Sequence, residues 1–401
     1  MNAAAGATTT AGAADSPPSP GPPRRARRPW VIGECRLSLD QRLLLRAALC
    51  DGDEALEAWR ALRPRFMVDT AVGDEHRLLP LVGWNLARAG LQADDEPDLA
   101  RLLGLVRRTW AQNQQRFHAL ATLDADLREA GIPTILLKGA ALASSAYPST
   151  GLRPMEDVDV LVRPRDRDRA ITLLHEEGFS IADRTVREPA NELGAIGPAA
   201  LNGIEIDLHW RMNQHLALPD DHPADHEVWS RARAIDLPGG APAQGLAGAD
   251  ELLVTLVHGM ISPGTAPLRW IADATWLHRA TAIEWPVLVD QARRRTCGLA
   301  VRRALELLDR EGFVDVPAGV LADLRHDHPG ARERFQLFAA RSPAVPTFVG
   351  GLLYMRQTEP PGRARRSLLD RGRYLLDVDS VPEAVLALAS KGRSYLSRHL
   401  P

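Results

Sequence analysis

The chain has 401 residues, 45% of them apolar and 25% charged, the proportions of a globular protein long enough for two or three domains. Its 49 basic and 51 acidic side chains leave a net charge of −2, which excludes a strongly basic nucleic-acid coat or an acidic solvating tail as its main character. Aromatic residues are only 5%, so the core has to be built from Leu, Val, Ala and Ile.

Residues 1–28 are Ala, Thr, Pro, Gly and Ser closed by the run RRARR. Such a segment cannot bury enough apolar surface to fold, and a disordered tail is expected. Arg24-Arg25 and Arg27-Arg28 suggest a twin-arginine export signal, but no apolar stretch follows them, so export is not expected. Cys35, Cys50 and Cys297 have no C-x-x-C spacing. They fit a reducing cytoplasm and argue against a disulfide scaffold or a thiolate zinc site. The longest uncharged stretch, Leu252–Leu268, is broken by Ser262-Pro263-Gly264. It falls short of the ~20 apolar residues of a membrane span, and no membrane partner is expected.

From 29 to 130 the pattern is helical, with Leu45, Ala48 and Leu49 at i, i+3 and i+4, and Leu102, Leu103, Val106 and Trp110 at similar spacing. The character changes at Gly131. The β-branched run 132–138 (IPTILLK) predicts a strand, 139–147 (GAALASSAY) a helix, and the alternating 157–163 (DVDVLVR) a second strand. A helix with Ala170, Ile171 and Leu174 inward and Gly178 as C-terminal cap follows, then a third strand over 203–210 (GIEIDLHW). The expected α/β core spans 131–240. From 241 to 401 helical patterns return, punctuated by Pro and Gly.

The informative residues lie in the α/β core. Residues i and i+2 of a strand share a face. Asp157 and Asp159 therefore share one face of their strand, and Glu205, Asp207 and His209 share one face of theirs. If the strands are neighbours, three or four carboxylates converge, and like charges that close require a cation. Carboxylate oxygens suit Mg²⁺, and two such ions stabilise both the attacking and the leaving oxygen in phosphoryl or nucleotidyl transfer. A single D-x-D is more often the polar face of a half-exposed strand; two acid-bearing strands weaken that explanation, since Asp is a poor strand former.

Lys138-Gly139 stands at a strand-to-helix turn, where glycine lets a phosphate approach backbone N–H groups and a lysine adds a point charge. Of the 49 basic residues only Lys138 and Lys391 are lysine; the other 47 are arginine, which makes a retained lysine here notable. Arg153 either clamps a phosphate through its guanidinium fork or has a structural or surface role, as befits one of 47 arginines; His209 either orients Asp207 or touches substrate, or is a satisfied, half-buried histidine. The histidines at 215, 222 and 226 with nearby aspartates do not match a compact zinc motif, and a solvated turn is the better reading. Asp273, four residues after Arg269, reads first as half of an i,i+4 ion pair at a core edge, with a pocket-lining role as the lesser reading.

The stretch from Ile135 to Phe179, followed by IEIDLHWRMN, resembles the bacterial uncharacterised nucleotidyltransferase family of the DNA polymerase beta-like nucleotidyltransferase superfamily. The elements L-K-G, R-P-x-x-D-x-D-x-L-V and D-L-H-W carry the resemblance jointly, and the helical segment around 252–279 extends it, to about residues 35–310 overall. The resemblance implies an α+β fold, a small mixed β-sheet core flanked by N-terminal and C-terminal helical regions. It implies that Asp157, Asp159 and Asp207 hold two Mg²⁺ ions (or Mn²⁺), with Asp207 helping to activate an acceptor hydroxyl, and that Lys138 and Gly139 meet the triphosphate. Arg153 and His209 join these as nucleotide-site residues. Gly139-Ala140 stands where the superfamily usually has Gly-Ser, and the interval to Asp157 is long. The expected activity is transfer of a nucleoside monophosphate from an NTP to a small-molecule, peptide or protein acceptor, with release of pyrophosphate. The rivals are another metal-dependent phosphotransferase and a non-catalytic nucleotide-binding or scaffold protein that kept the fold.

Overall fold

The computed structural model describes residues 37–181, 192–261 and 268–341. The expected disordered tail, Cys35, Lys391 and the last 60 residues lie outside these segments.

Four helices come first: α1 (Leu39–Leu49), α2 (Gly52–Leu62), α3 (Asp74–Arg88) and α4 (Leu99–Glu129). α1 opens with a capping box, Ser38 and Gln41 each accepting the other's backbone N–H. Leu45, Ala48 and Leu49 are buried as their spacing predicts, whereas Trp110 of α4 is 51% exposed. α4 has 31 residues and serves two cores: Leu99 and Leu102 pack with the helices, while Phe117, Leu120, Leu123 and Leu127 pack under the sheet.

The α/β segment then runs β1 (Thr134–Leu137), α5 (Lys138–Ser145), β2 (Val158–Val162), α6 (Arg167–Glu176), β3 (Ser180–Ile181), β4 (Glu192–Ile196), β5 (Glu205–His209), α7 (Pro223–Arg231), β6 (Arg233–Asp236) and β7 (Pro242–Gly245). Six helices close the described chain: α8 (Gly248–Ile261), α9 (Arg269–Ala280), α10 (Trp285–Arg294), α11 (Gly298–Arg310), α12 (Ala318–His326) and α13 (Ala331–Arg341). Among the described residues no helix is long and apolar enough to cross a membrane.

The seven strands form one mixed sheet in the order β3-β4-β5-β2-β1-β7-β6. β1 and β2 are antiparallel, and β2 and β5 parallel. The three strands anticipated from the sequence are present, each slightly shorter than its predicted run. β4, β6 and β7 carry no such signal: Gly194, Pro242 and Gly245 dilute the β-branched composition that marks strands.

The two sheet faces differ. Leu136, Val158, Val160, Ile206 and Leu208 pack against α4 and α6. Ile135, Leu137 and Leu161 belong instead to the core built by the flanking helices, α8 and α9 among them. Every residue of β2 is buried, so the half-exposed strand considered for the D-x-D motif does not exist. The acids on this second face look towards helices.

Two contacts fix α8 and α9 against the sheet. In the first, Glu251 of α8 is buried and its Oε1 accepts the backbone N–H of Lys138 at 3.2 Å, capping α5 from outside its own chain segment. In the second, Gly259 of α8 lets Trp270 of α9 lie against the helix: a Cβ at 259 would stand 2.1 Å from Trp270 Cγ.

Gly259→Ala should therefore destabilise the fold by overpacking, by about 1–3 kcal/mol. Gly104→Ala on α4, where a Cβ would meet nothing within 4 Å, should be neutral or stabilising by ~0.5–1 kcal/mol through helix propensity. Thermal melts of the pair read the difference.

Burial pushes the Glu251 carboxyl up to about 8, against the pull of Arg233 and Arg153. The folded chain keeps this proton where the unfolded chain has lost it. The stabilisation is full below the unfolded glutamate value and is lost as pH rises through about 8. Glu251→Gln keeps the acceptor and removes the titration. Its melting temperature should match wild type near pH 5 and exceed it near pH 8.5.

Candidate active site

β2 and β5 pair in parallel with Asp159 opposite Asp207, and Val160 and Leu208 next along the register. Paired residues of neighbouring strands point to the same face, so both carboxylates stand on the helix-facing side. Asp159 is 4% exposed; Asp207 is half-buried. His209 shares the face and is buried. Ligand atoms of Asp159, Asp207 and His209 all lie within 4.8 Å of one another, the one such group among the described residues.

Within the group the polar contacts are unequal. Asp159 Oδ1 accepts from Lys138 Nζ at 2.7 Å and lies 2.8 Å from His209 Nε2. Burial pushes this carboxyl up, but the Lys138 ammonium and the His209 hydrogen bond outweigh it and hold Asp159 well below the usual carboxylate range. Asp207 has no hydrogen bond or ion pair among the described residues. Burial, and then the charges of Asp159 and Asp157, push it up to about 6. An anion held beside two others without a donor is a place for a cation, and two carboxylates fit a hard divalent ion. The donor set therefore fits the metal that the sequence suggests.

Asp157 is exposed just ahead of β2 and lines the same cavity, but it stands outside the close-set group. Glu192 at the start of β4, absent from the sequence-derived set, also lines the cavity, and its Oε2 is 3.2 Å from His209 Nδ1 without hydrogen-bond geometry. It arrives there because β4 pairs antiparallel with β5, Glu192 opposite His209.

Lys138 opens α5 rather than closing β1, with a left-handed backbone at φ +44°. That conformation costs a non-glycine residue roughly 1–2 kcal/mol. The Glu251 cap on its N–H holds it there. The ammonium, expected to meet phosphate, lines the cavity and is paired there with Asp159.

Gly139 lines the cavity and also makes room for a neighbour. A Cβ there would lie 3.1 Å from Arg153 Nη1 and 3.3 Å from Met155 Sδ, so the glycine makes room for the arginine. Arg153 is buried, and its loop is pinned by Asn113 of α4, whose Nδ2 donates to the carbonyls of Thr150 and Arg153. Its Nε and Nη2 donate to the two oxygens of Asp273 at 2.8 and 2.9 Å, and Tyr147 OH donates to the same carboxylate at 2.7 Å. Asp273 is thus not half of an i,i+4 pair with Arg269. The fork of Arg153 takes both its oxygens, because planar guanidinium and carboxylate match in geometry. Among the described residues Nη1 of Arg153 has no hydrogen-bond partner and remains open to a ligand.

Among the described residues Arg269 consequently makes no direct ion pair through its guanidinium, which feels Asp273 and Asp74 only through space. Its backbone N–H and that of Leu268 are accepted by Asp74 Oδ2, which caps α9 from the first turn of α3. Burial, and then the charge of Arg153, lower the Arg269 guanidinium below its usual value. The acids, Lys138, Arg153, Arg269 and His258 together line a cavity of about 320 Å³ between the sheet and α3, α8 and α9. The histidine-rich turn carries no part of it: His222 Nδ1 caps α7 by accepting from Ala224 N–H.

The structure aligns with an antigenic nucleotidyltransferase-like protein from Paracoccidioides brasiliensis at TM-score 0.34 and 13% identity, over 55% of this chain and 96% of that one. It also aligns with the antibiotic-resistance factor ANT(2'')-Ia, at TM-score 0.34 and 13% identity, over 50% of this chain and 98% of that one. No curated protein matches the chain. The family model described as an uncharacterised nucleotidyltransferase matches residues 70–310, from just ahead of α3 to the end of α11. With α3, the acid-bearing sheet and the α8–α9 wall all inside that match, the chain belongs to the uncharacterised nucleotidyltransferase family.

Proposed function

We propose that the chain transfers a nucleoside monophosphate from an NTP to an acceptor nucleophile with release of pyrophosphate, as a member of the DNA polymerase beta-like superfamily. The observation that carries the reading is the side-by-side placement of Asp159 and Asp207, with Asp207 lacking any hydrogen-bonding partner among the described residues. Asp159 and Asp207 would hold a divalent cation, Mg²⁺ or Mn²⁺, with Asp157 beside them in the cavity lining. When bound, it neutralises the triphosphate and polarises the α-phosphate.

The chain's own groups do the rest. Arg269 and the free Nη1 of Arg153 face the triphosphate as a cationic wall, with Gly139 leaving them room. Asp207 takes the proton from the acceptor hydroxyl as its oxygen bonds to the α-phosphorus. The bond from that phosphorus to the bridging oxygen breaks, and pyrophosphate leaves with the electron pair. His209 holds Asp159 in place through Nε2. Positioning and charge stabilisation suffice, since phosphoryl chemistry asks for little covalent work from the protein. The acceptor is a small molecule, peptide or protein, met in the cytoplasm, where NTPs are present and free thiols persist.

Asp207→Asn tests this with two readouts that move in opposite directions. Removing a repelled, unpartnered carboxylate should leave the melting temperature equal or higher. The same change should abolish the extra stabilisation that an NTP with Mg²⁺ gives wild type, which is about 2.7 kcal/mol at a hundredfold excess over Kd. Loss of both fold and binding, or retention of Mg²⁺-dependent binding, would contradict the assignment. Arg269→Gln should weaken NTP binding at least tenfold with the fold unchanged, seen by calorimetry of the two proteins side by side.

A further inference from the structure

We infer that the Lys138 ammonium is a permanent cation of the site, standing where a second metal ion would, so that the site takes a single divalent ion. The inference rests on the nucleotidyltransferase reading and fixes its ion count.

The argument begins with the oxygens of Asp159. A carboxylate shared by two metal ions must offer oxygen to both. Asp159 Oδ1 is already approached by Lys138 Nζ at 2.7 Å and by His209 Nε2 at 2.8 Å. Two donors fill the lone pairs of that atom, leaving Oδ2 for one metal ion. The group geometry agrees: Asp159, Asp207 and His209 form one close-set cluster, and Asp157 stands apart from it.

The lysine is also built into its position. Its backbone is held at φ +44°, where a non-glycine residue is rarely found. The N–H of that strained residue is accepted by Glu251, which is buried in α8. Its side chain is 20% exposed, and Leu137, just before it, is paired with Asp159 across the β1–β2 ladder. The side chain therefore leaves the sheet directly over Asp159. A mobile surface lysine that merely drifts to an acid would need none of this. An ammonium also differs from a metal ion in that it cannot be diluted or chelated away, so the nucleotide meets a site whose first positive charge is already in place.

The test counts ions on the full chain. The protein is titrated with Mn²⁺ alone, and again with Mn²⁺ plus an α,β-methylene analogue of each NTP, by calorimetry and electron paramagnetic resonance. Wild type should bind one Mn²⁺ with an uncoupled spectrum in both cases. Lys138→Met, which keeps length and removes charge, should bind two, with the exchange-coupled spectrum of ions ~3.5–4 Å apart. Lys138→Arg, which keeps the charge, should stay at one. Two coupled ions on wild type would overturn the inference and leave the metal-dependent reading standing. No Mn²⁺ on wild type would overturn both. Wild type alone decides the ion count if Lys138→Met does not fold, and a Lys138→Met protein that folds and still binds one ion with unchanged affinity would also overturn the inference.

Discussion

Asp159 and Asp207 are neighbours because β2 and β5 pair in parallel and in register, and the rest of the site answers to that placement. Two carboxylates on one sheet face, one of them nearly sealed from water, repel each other in a medium that screens poorly. The chain relieves half of the repulsion itself, by setting Lys138 and His209 on one oxygen of Asp159. Among the described residues it leaves the Asp207 carboxylate without a hydrogen-bonding partner, so one acid is satisfied and the other feels its neighbours' charge.

The helices supply the other wall. A small sheet could carry the acids without α8 and α9, but its helix-facing side would then be open to water and every ion pair on it weakened. Instead α3 caps α9 through Asp74, α8 caps α5 through Glu251, and α9 holds Arg153 through Asp273. The Arg153–Asp273 pair is fully buried and joined by Tyr147, so removing one partner would strand a charge in the core. Each of these links ties a helix to a residue that faces the cavity. The flanking helices therefore do more than pad the sheet: they set the positions of Lys138, Arg153 and Arg269.

The acid-bearing strands were legible in the sequence because alternation is a local signal. Period-two patterning puts Asp157 and Asp159 on one face of their strand, and Glu205, Asp207 and His209 on one face of theirs; the parallel register then sets Asp159 beside Asp207. The mixed sheet with helices before and after it is legible only through the family resemblance, since alternation does not give strand order. What escaped were pairings between distant segments. Nothing near Arg153 announces Asp273, 120 residues later, and nothing near Lys138 announces Glu251, 113 residues later. Glu192 escapes because β4 is short and holds a glycine, so it carries no clear strand pattern. Arg269 was visible but was assigned to Asp273 by helical spacing alone. The competing guanidinium of Arg153, 120 residues from Asp273, leaves no local signal in the sequence.

The most direct measurement is a crystal structure of the chain grown with Mn²⁺ and a non-hydrolysable NTP analogue, with anomalous scattering to locate the metal. The account predicts manganese density against Asp207 and Oδ2 of Asp159, with the α-phosphate beside it and the triphosphate running towards Arg269. Nucleotide bound outside this cavity, or manganese absent from Asp207 while nucleotide is present, would contradict it.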